Sequence, residues 1–425
     1  MRILIISFFF PPYNAIGAVR VGKEAKYLAA LGHEVRVITA SDQTLPKTLP
    51  LEIPEECVRR TSWFNVNKIV EFIFNRKKVA ATGYSASVQK YGLLRKLAYL
   101  YKVVVNLPDG QIGWYPYAVA EGGRVIKTWQ PDVIYASAMP VTSLLVAKRL
   151  SKKHQIPWVA EMRDLWMDNP YLDYYPRWRG WYELRLEKKV MSTASGMVTI
   201  SQPLVDTLEK KYQCPVCLVT NGFDPDDFAK TVPERVQDND VLHIVYTGMI
   251  YLGKRDPSPL FEAIAALGDL KQSIKVSFYG RYLTTVSALA HEFGVASQVE
   301  VHMPVAYNEA LLLQQQADLL LLLLWNDPKE KGSFTGKVFE YLGAKRPVLI
   351  LGPSDNVASE LVTSRQAGVV FDSMGTPLVE QLRQWVLLKQ SGQDLPALPE
   401  GVGAGYTRQE QTEILSSFLG KVVNS

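Results

Sequence analysis

The chain has 425 residues, 47% of them hydrophobic and 21% charged, a globular composition too long for one ordinary core, so two domains are expected. A net charge of +5 suits phosphates or an anionic membrane surface and does not require nucleic acid. Only three cysteines occur, which excludes a disulfide scaffold and suits a reducing cytosol.

Cys214 and Cys217 have redox-motif spacing but lead into a strand, and no second pair completes a zinc site. The longest apolar run, Ala317 to Trp325, is interrupted by Asp318 and falls short of the roughly 20 residues that span a membrane. Ile3 to Phe10 runs into Pro11-Pro12 without a cleavage site, so it reads as a first strand and not as a signal segment.

In chain order, the pattern predicts a strand over Arg2 to Phe9 and a loop from Pro11 to Gly17. An amphipathic helix to Leu31 follows, stopped by Gly32, and then a strand from Glu34 to Thr39. This opens a doubly wound α/β domain, where ligands sit beyond the carboxyl ends of strands. Gly17 and Gly22 do not make G-x-G-x-x-G, which argues against a dehydrogenase. From Asp42 to Trp129 the sequence turns irregular, basic and aromatic. An insertion at about 60–115 suits either an anionic membrane surface or a helical segment with solvated lysines.

Alternation resumes with a strand at Val133 to Ser137, a helix at Thr142 to His154 and a strand at Pro157 to Met162. The charged pair Arg163-Asp164 ends that strand, as a structural ion pair or as part of a ligand edge. An amphipathic helix over Arg177 to Ser192, a strand at Met197 to Ile200, a helix at Gln202 to Tyr212 and a strand at Cys217 to Thr220 complete the half. The first domain is therefore placed at 1–222 and a linker at 223–240. A second α/β domain is placed at 241–405, with a final helix in 406–425 that would cross back to the first. The second set of strands is expected at Leu242 to Thr247, Lys275 to Tyr279, Val299 to His302, Leu319 to Leu324 and Val348 to Leu351.

Gly332 to Gly343 is a glycine-bounded loop that turns at Lys337 into a helix ending at Gly343. A helix start presents unpaired N–H groups and the positive end of the dipole, and Lys337 adds a full charge. Glu340 lies one turn on, on the same side. The loop Gly248 to Pro257 carries Lys254 and Arg255 before another helix, so these cations with Lys337 suit a diphosphate. Gly17, in the matching loop of the first half, would let backbone approach a ligand. Two such domains place the expected site in a cleft between them.

Phe10-Pro11-Pro12 with Gly17, Pro157 to Trp166 (PWVAEMRDLW), Asn221 to Phe228 (NGFDPDDF), Tyr246 to Pro257 and Thr335 to Pro347 (TGKVFEYLGAKRP) form an ordered set. Across nearly the whole chain it resembles the GT-B glycosyltransferases of glycosyltransferase family 4, in a subgroup with Arg-Asp-x-Trp. The resemblance implies an α/β chain of two doubly wound parallel-sheet domains facing across a cleft, and a retaining enzyme. Such an enzyme moves a sugar from a nucleotide-diphosphate-sugar to a glycan or lipid-linked acceptor, in the cytoplasm at the inner face of the membrane. Glu340 matches the second glutamate of a Glu-x7-Glu element and would grip ribose hydroxyls; Gly332 stands where the first would be. Ser333, Phe334 and Thr335 would meet the donor sugar, and Gly17, Lys254, Arg255, Gly336 and Lys337 the donor phosphates. Many relatives carry histidine where this chain has Arg163, and Arg163 or Asp164 is assigned to catalysis on the acceptor side. No metal or other cofactor is expected, since no Asp-x-Asp pair stands out. A sugar-nucleotide epimerase of the same fold and a non-catalytic nucleotide-sugar-binding protein are the alternatives.

Overall fold

Apolar runs too short for helices and flanked by glycine or polar turns form the strands of two parallel sheets. The computed structural model describes residues 1–68, 93–169, 176–229, 240–250, 253–281, 283–372 and 375–425. The chain divides into two compact units, Met1–Thr220 with Arg408–Ser425, and Asn221–Thr407. Phe223–Ala229 of the expected linker thus belongs to the second unit, and 230–239 lies outside the described residues.

In the first unit the strands are β1 (Arg2–Ile6), β2 (Glu34–Ala40), β3 (Val58–Thr61), β4 (Val133–Ala138), β5 (Trp158–Met162), β6 (Gly196–Thr199) and β7 (Val216–Leu218). Their order is β3-β2-β1-β4-β5-β6-β7 and every pairing is parallel. A parallel sheet is covered on both faces, which is why β1 and β4 are apolar almost throughout. One face packs Leu4, Ile134 and Trp158 beneath the helices Tyr115–Trp129 and Thr142–His154. The other packs Ile3, Ile5 and Val159 against Ile16–Ala30 and against Leu415, Phe418 and Leu419 of the final helix, Arg408–Val423. Edge strand β3 falls in the stretch read as irregular. It needs one ladder only, and Val58 alone of its four side chains is buried, so its apolar signal is slight.

The helix Arg177–Met191 corrects the expectation of an ordinary amphipathic helix. Its buried stripe is charged, with Arg179, Glu183 and Glu187 at four-residue spacing. Arg179 donates to Glu183 Oε1 at 2.6 Å, Val103 O at 2.7 Å and Asn106 O at 2.5 Å, satisfying carbonyls at the end of the helix Leu93–Val105. Lys211 donates to Glu187 at 2.8 Å.

In the second unit the strands are β8 (Leu242–Thr247), β9 (Ile274–Tyr279), β10 (Val299–His302), β11 (Leu319–Leu323), β12 (Val348–Leu351) and β13 (Gly368–Phe371), in the order β10-β9-β8-β11-β12-β13. All pairings are again parallel. Strand β13 was not expected. It is four residues long and starts at a glycine whose added Cβ would lie 1.9 Å from Val348 O, so the close pairing itself demands the residue that hides the strand. The strand order reverses between β8 and β11, and in open α/β sheets such a switch point is where ligands bind.

The helix Gly336–Ala344 does not stop at Gly343 as expected. It ends at Lys345, which takes the left-handed conformation with φ of 55°. Gly343 is interior because an added Cβ would meet the Phe228 ring at 2.5 Å and the Phe223 ring at 2.7 Å.

Candidate functional site

At the switch point of the second unit, β8 ends in Tyr246-Thr247 and the chain turns at Gly248, where φ is +134°. A Cβ at Gly248 would lie 2.5 Å from Lys337 Cε and 2.6 Å from its Nζ, so glycine here makes the space the ammonium occupies. Gly280, after β9, removes a second side chain, since its Cβ would strike Gly248 O at 2.0 Å. The Lys337 ammonium donates to the Tyr246 hydroxyl at 2.8 Å and lies 4.1 Å from that ring's centre. Tyr246, fully buried, donates in turn to Met249 O at 2.9 Å.

Burial around the ammonium, then the nearby Arg255 guanidinium, depress the Lys337 pKa to about 7 against the opposing pull of Glu340. An incoming anion would reverse both effects. Lys254 lies 3.9 Å over the Trp325 ring, at the end of the β11 run, so the aromatic face positions its charge.

Glu340 is held from the side. Gln314, fully buried on the helix Tyr307–Gln316, donates through Nε2 to Glu340 Oε2 at 3.1 Å and to Thr247 Oγ1 at 2.9 Å. A carboxylate fixed this way has acceptor capacity for paired hydroxyls. Ahead of the helix, Thr335 is extended and makes no side-chain cap, and a Cβ on Gly336 would meet nothing within 4 Å. Ser333 N donates to Glu330 O at 3.0 Å, and the Phe334 ring packs on Phe339, 5.2 Å between centres, so Phe334 anchors the loop to the core.

In the first unit Gly17 and Arg163 come together: a Cβ on Gly17 would lie 2.9 Å from a terminal guanidinium nitrogen of Arg163. Arg163 Nε donates to Ala138 O at 2.9 Å, at the carboxyl end of β4, while Asp164 is exposed. The two side chains do not pair with each other, which removes the reading of a structural ion pair. Two residues earlier, Glu161 is fully buried; Arg20 donates to it at 2.5 Å and Ser137 donates to its other oxygen. Burial pushes the Glu161 carboxyl up, but Arg20, Arg163 and the Ser137 hydroxyl together hold it below the usual range. Burial and the Glu161 charge push Glu24 up to about 8, so this second carboxyl is the one that keeps a proton. Arg20 also donates to Val219 O at 3.0 Å and Thr220 O at 2.7 Å.

The sequence reading missed Tyr246, Gln314 and this buried triad. Tyr246 stands two positions before a glycine at a strand end, which was the available signal. Gln314 is one of three consecutive glutamines and carried none. Among the described residues no helix is long and apolar enough to cross a membrane.

Residues 17–227 match the family described as Glycosyltransferase Family 4. A search of curated proteins finds no match. Among solved structures, a sucrose-phosphate synthase from Thermosynechococcus elongatus aligns over 100% of this chain and 99% of its own at TM-score 0.63 and 14% identity. WaaG, a glycosyltransferase involved in lipopolysaccharide biosynthesis, aligns over 100% of both chains at 0.57 and 14%. The trehalose-6-phosphate protein of E. coli bound with UDP-2-fluoro glucose aligns over 100% and 99% at 0.60 and 11%. The chain thus has the two parallel, Rossmann-like sheets of the GT-B fold, and its residues 17–227 match the Glycosyltransferase Family 4 model.

Proposed function

We propose that the protein is a retaining glycosyltransferase. It moves a sugar from a nucleotide-diphosphate-sugar to a glycan or lipid-linked acceptor, in surface polysaccharide or glycolipid synthesis at the cytoplasmic side of a membrane. The observation that carries this reading is the switch-point cluster of the second unit. There an ammonium with a depressed pKa and a side-fixed carboxylate lie one helical turn apart beside an uncapped helix start. Lys337, Arg255, Lys254 and the N–H groups from Gly336 onward are assigned to the diphosphate, and Glu340 to the ribose diol. Ser333 and Thr335 are assigned to the donor sugar. In the first unit Arg163 and Asp164, at the carboxyl end of β5, are assigned to the acceptor.

Cations and N–H dipoles take the leaving-group charge without a metal in this reading. The acceptor oxygen bonds to the anomeric carbon on the face from which phosphate departs. The carbon–phosphate-oxygen bond breaks, and the departing phosphate accepts the acceptor's proton. An inverted anomeric product or a trapped glycosyl-enzyme would refute that step.

The test is a panel of nucleotide-sugars scored for thermal stabilisation and nucleotide release. A transferase releases nucleotide when acceptor or water takes the sugar, whereas an epimerase interconverts donors without release and a binding protein is stabilised without turnover. Glu340→Ala is expected to weaken nucleotide affinity about tenfold to a hundredfold, the loss of a charged hydrogen-bond pair, with the unfolding midpoint unchanged. Unchanged affinity would overturn the ribose assignment.

A further inference from the structure

The inverted helix Arg177–Met191 leaves an unusual outer face. Trp178 and Trp181 are 51% and 56% exposed, and Tyr182 and Leu184 are exposed beside them. Arg177, Arg185, Lys188 and Lys189 are the other exposed residues of this helix, and Arg185 stacks 3.6 Å over the Trp181 ring. Both acidic residues of the helix, Glu183 and Glu187, are buried and neutralised by Arg179 and Lys211. The solvent face therefore carries four cations and no anion. Arg179 also fastens to it the end of Leu93–Val105, a helix with no acidic residue whose Tyr99, Leu100 and Val104 are exposed.

Large apolar side chains at this exposure normally lose free energy in water, and their grouping marks an interaction surface. Charge selects the partner. A second copy of the same face would bring four cations against four, so a two-fold pairing is disfavoured. An anionic nucleic acid would use the aromatic rings but has no use for the aliphatic Leu184, Leu100 and Val104. Tryptophan and tyrosine at headgroup depth, aliphatic side chains just below, and cations facing lipid phosphates describe the chemistry of a bilayer surface.

We propose that the outer face of Arg177–Met191, with the exposed residues of Leu93–Val105, docks the first unit on a bilayer containing anionic lipids. The inference deepens the reading that the acceptor is membrane-borne, and it joins a helix outside the basic-aromatic segment that first suggested a membrane, Arg177–Met191, to one within it, Leu93–Val105.

The experiment is co-sedimentation of the full chain with vesicles of phosphatidylcholine alone and of phosphatidylcholine mixed equally with phosphatidylglycerol. The protein is expected on the mixed vesicles only, and less as salt is raised. K188Q/K189Q is expected to lower partitioning about 25-fold, at about fivefold per cation removed. W178S/W181S is expected to lower it further, and both variants should keep the nucleotide affinity of the parent. Should the tryptophan variant lose its fold, the lysine pair still decides. Equal binding to both vesicle types, no binding to either, or parent-like binding by K188Q/K189Q overturns the proposal. So does a dimer or an oligonucleotide complex abolished by the same substitutions in the absence of vesicle binding. Vesicle binding together with no nucleotide release from any nucleotide-sugar of the panel would instead overturn the transferase reading and leave this surface standing.

Discussion

At the scale of single residues, Lys337 decides most. Its pKa of about 7 lies below the ordinary 10.5, so between these limits the folded chain holds fewer protons than the unfolded one. Stability of the ligand-free protein therefore rises with pH across that window, and the desolvation cost of the charged form is felt in full below about 7. A bound diphosphate favours the ammonium, so binding at pH 8 should take up close to one proton. Affinity should tighten about tenfold for each pH unit lowered from 9 towards 7 while Lys337 alone titrates. Calorimetry in buffers of different ionisation enthalpy measures the uptake. Lys337→Met keeps the stem and should abolish it; a pH-independent affinity in the parent would show that the ammonium is not at the diphosphate.

At the scale of elements, two glycines of one helix test packing against function. Gly343→Ala gains about 1 kcal/mol of helix propensity but forces a methyl into the Phe223 and Phe228 rings, an overpacking of about 1–3 kcal/mol, so a net loss of up to about 2 kcal/mol is expected in urea unfolding. Gly336→Ala meets open space and should change stability by less than about 0.5 kcal/mol while weakening nucleotide binding. Equal destabilisation by both would refute the distinction. The same contrast explains what could be read beforehand. Central parallel strands such as Leu319–Leu323 are buried on both faces and stand out as apolar runs. Edge strands β3 and β13 satisfy one neighbour with few buried side chains, and close pairing at Gly368 removes the side chain that would have marked it. Lys337 and Glu340 were legible from local spacing at a helix start. Their partners Tyr246 and Gln314 lie 91 and 26 positions away and meet them only through the sheet order. The charged stripe of Arg177–Met191 shows the same limit, because its burial is specified by carbonyls of another helix.

At the scale of the whole molecule, each unit closes its own two core layers around its own sheet, and the chain passes between units only at Thr220–Asn221 and Thr407–Arg408. Cooperative unfolding follows shared core, so calorimetry should resolve two transitions. A nucleoside diphosphate held by the second unit at about 100 times its dissociation constant adds about 2.7 kcal/mol to that unit, raising its transition by about 5–10 °C. The other transition should stay in place. Arg20→Met supplies the converse, because it strips Glu161 of the guanidinium paired with it and Val219 and Thr220 of a donor inside the first unit. Breaking a buried pair from one side costs about 3–5 kcal/mol, so the nucleotide-insensitive transition alone should fall. If nucleotide shifted the transition lowered by Arg20→Met, the diphosphate would be held by the first unit, and the assignment of Lys337 and Glu340 would fail with it.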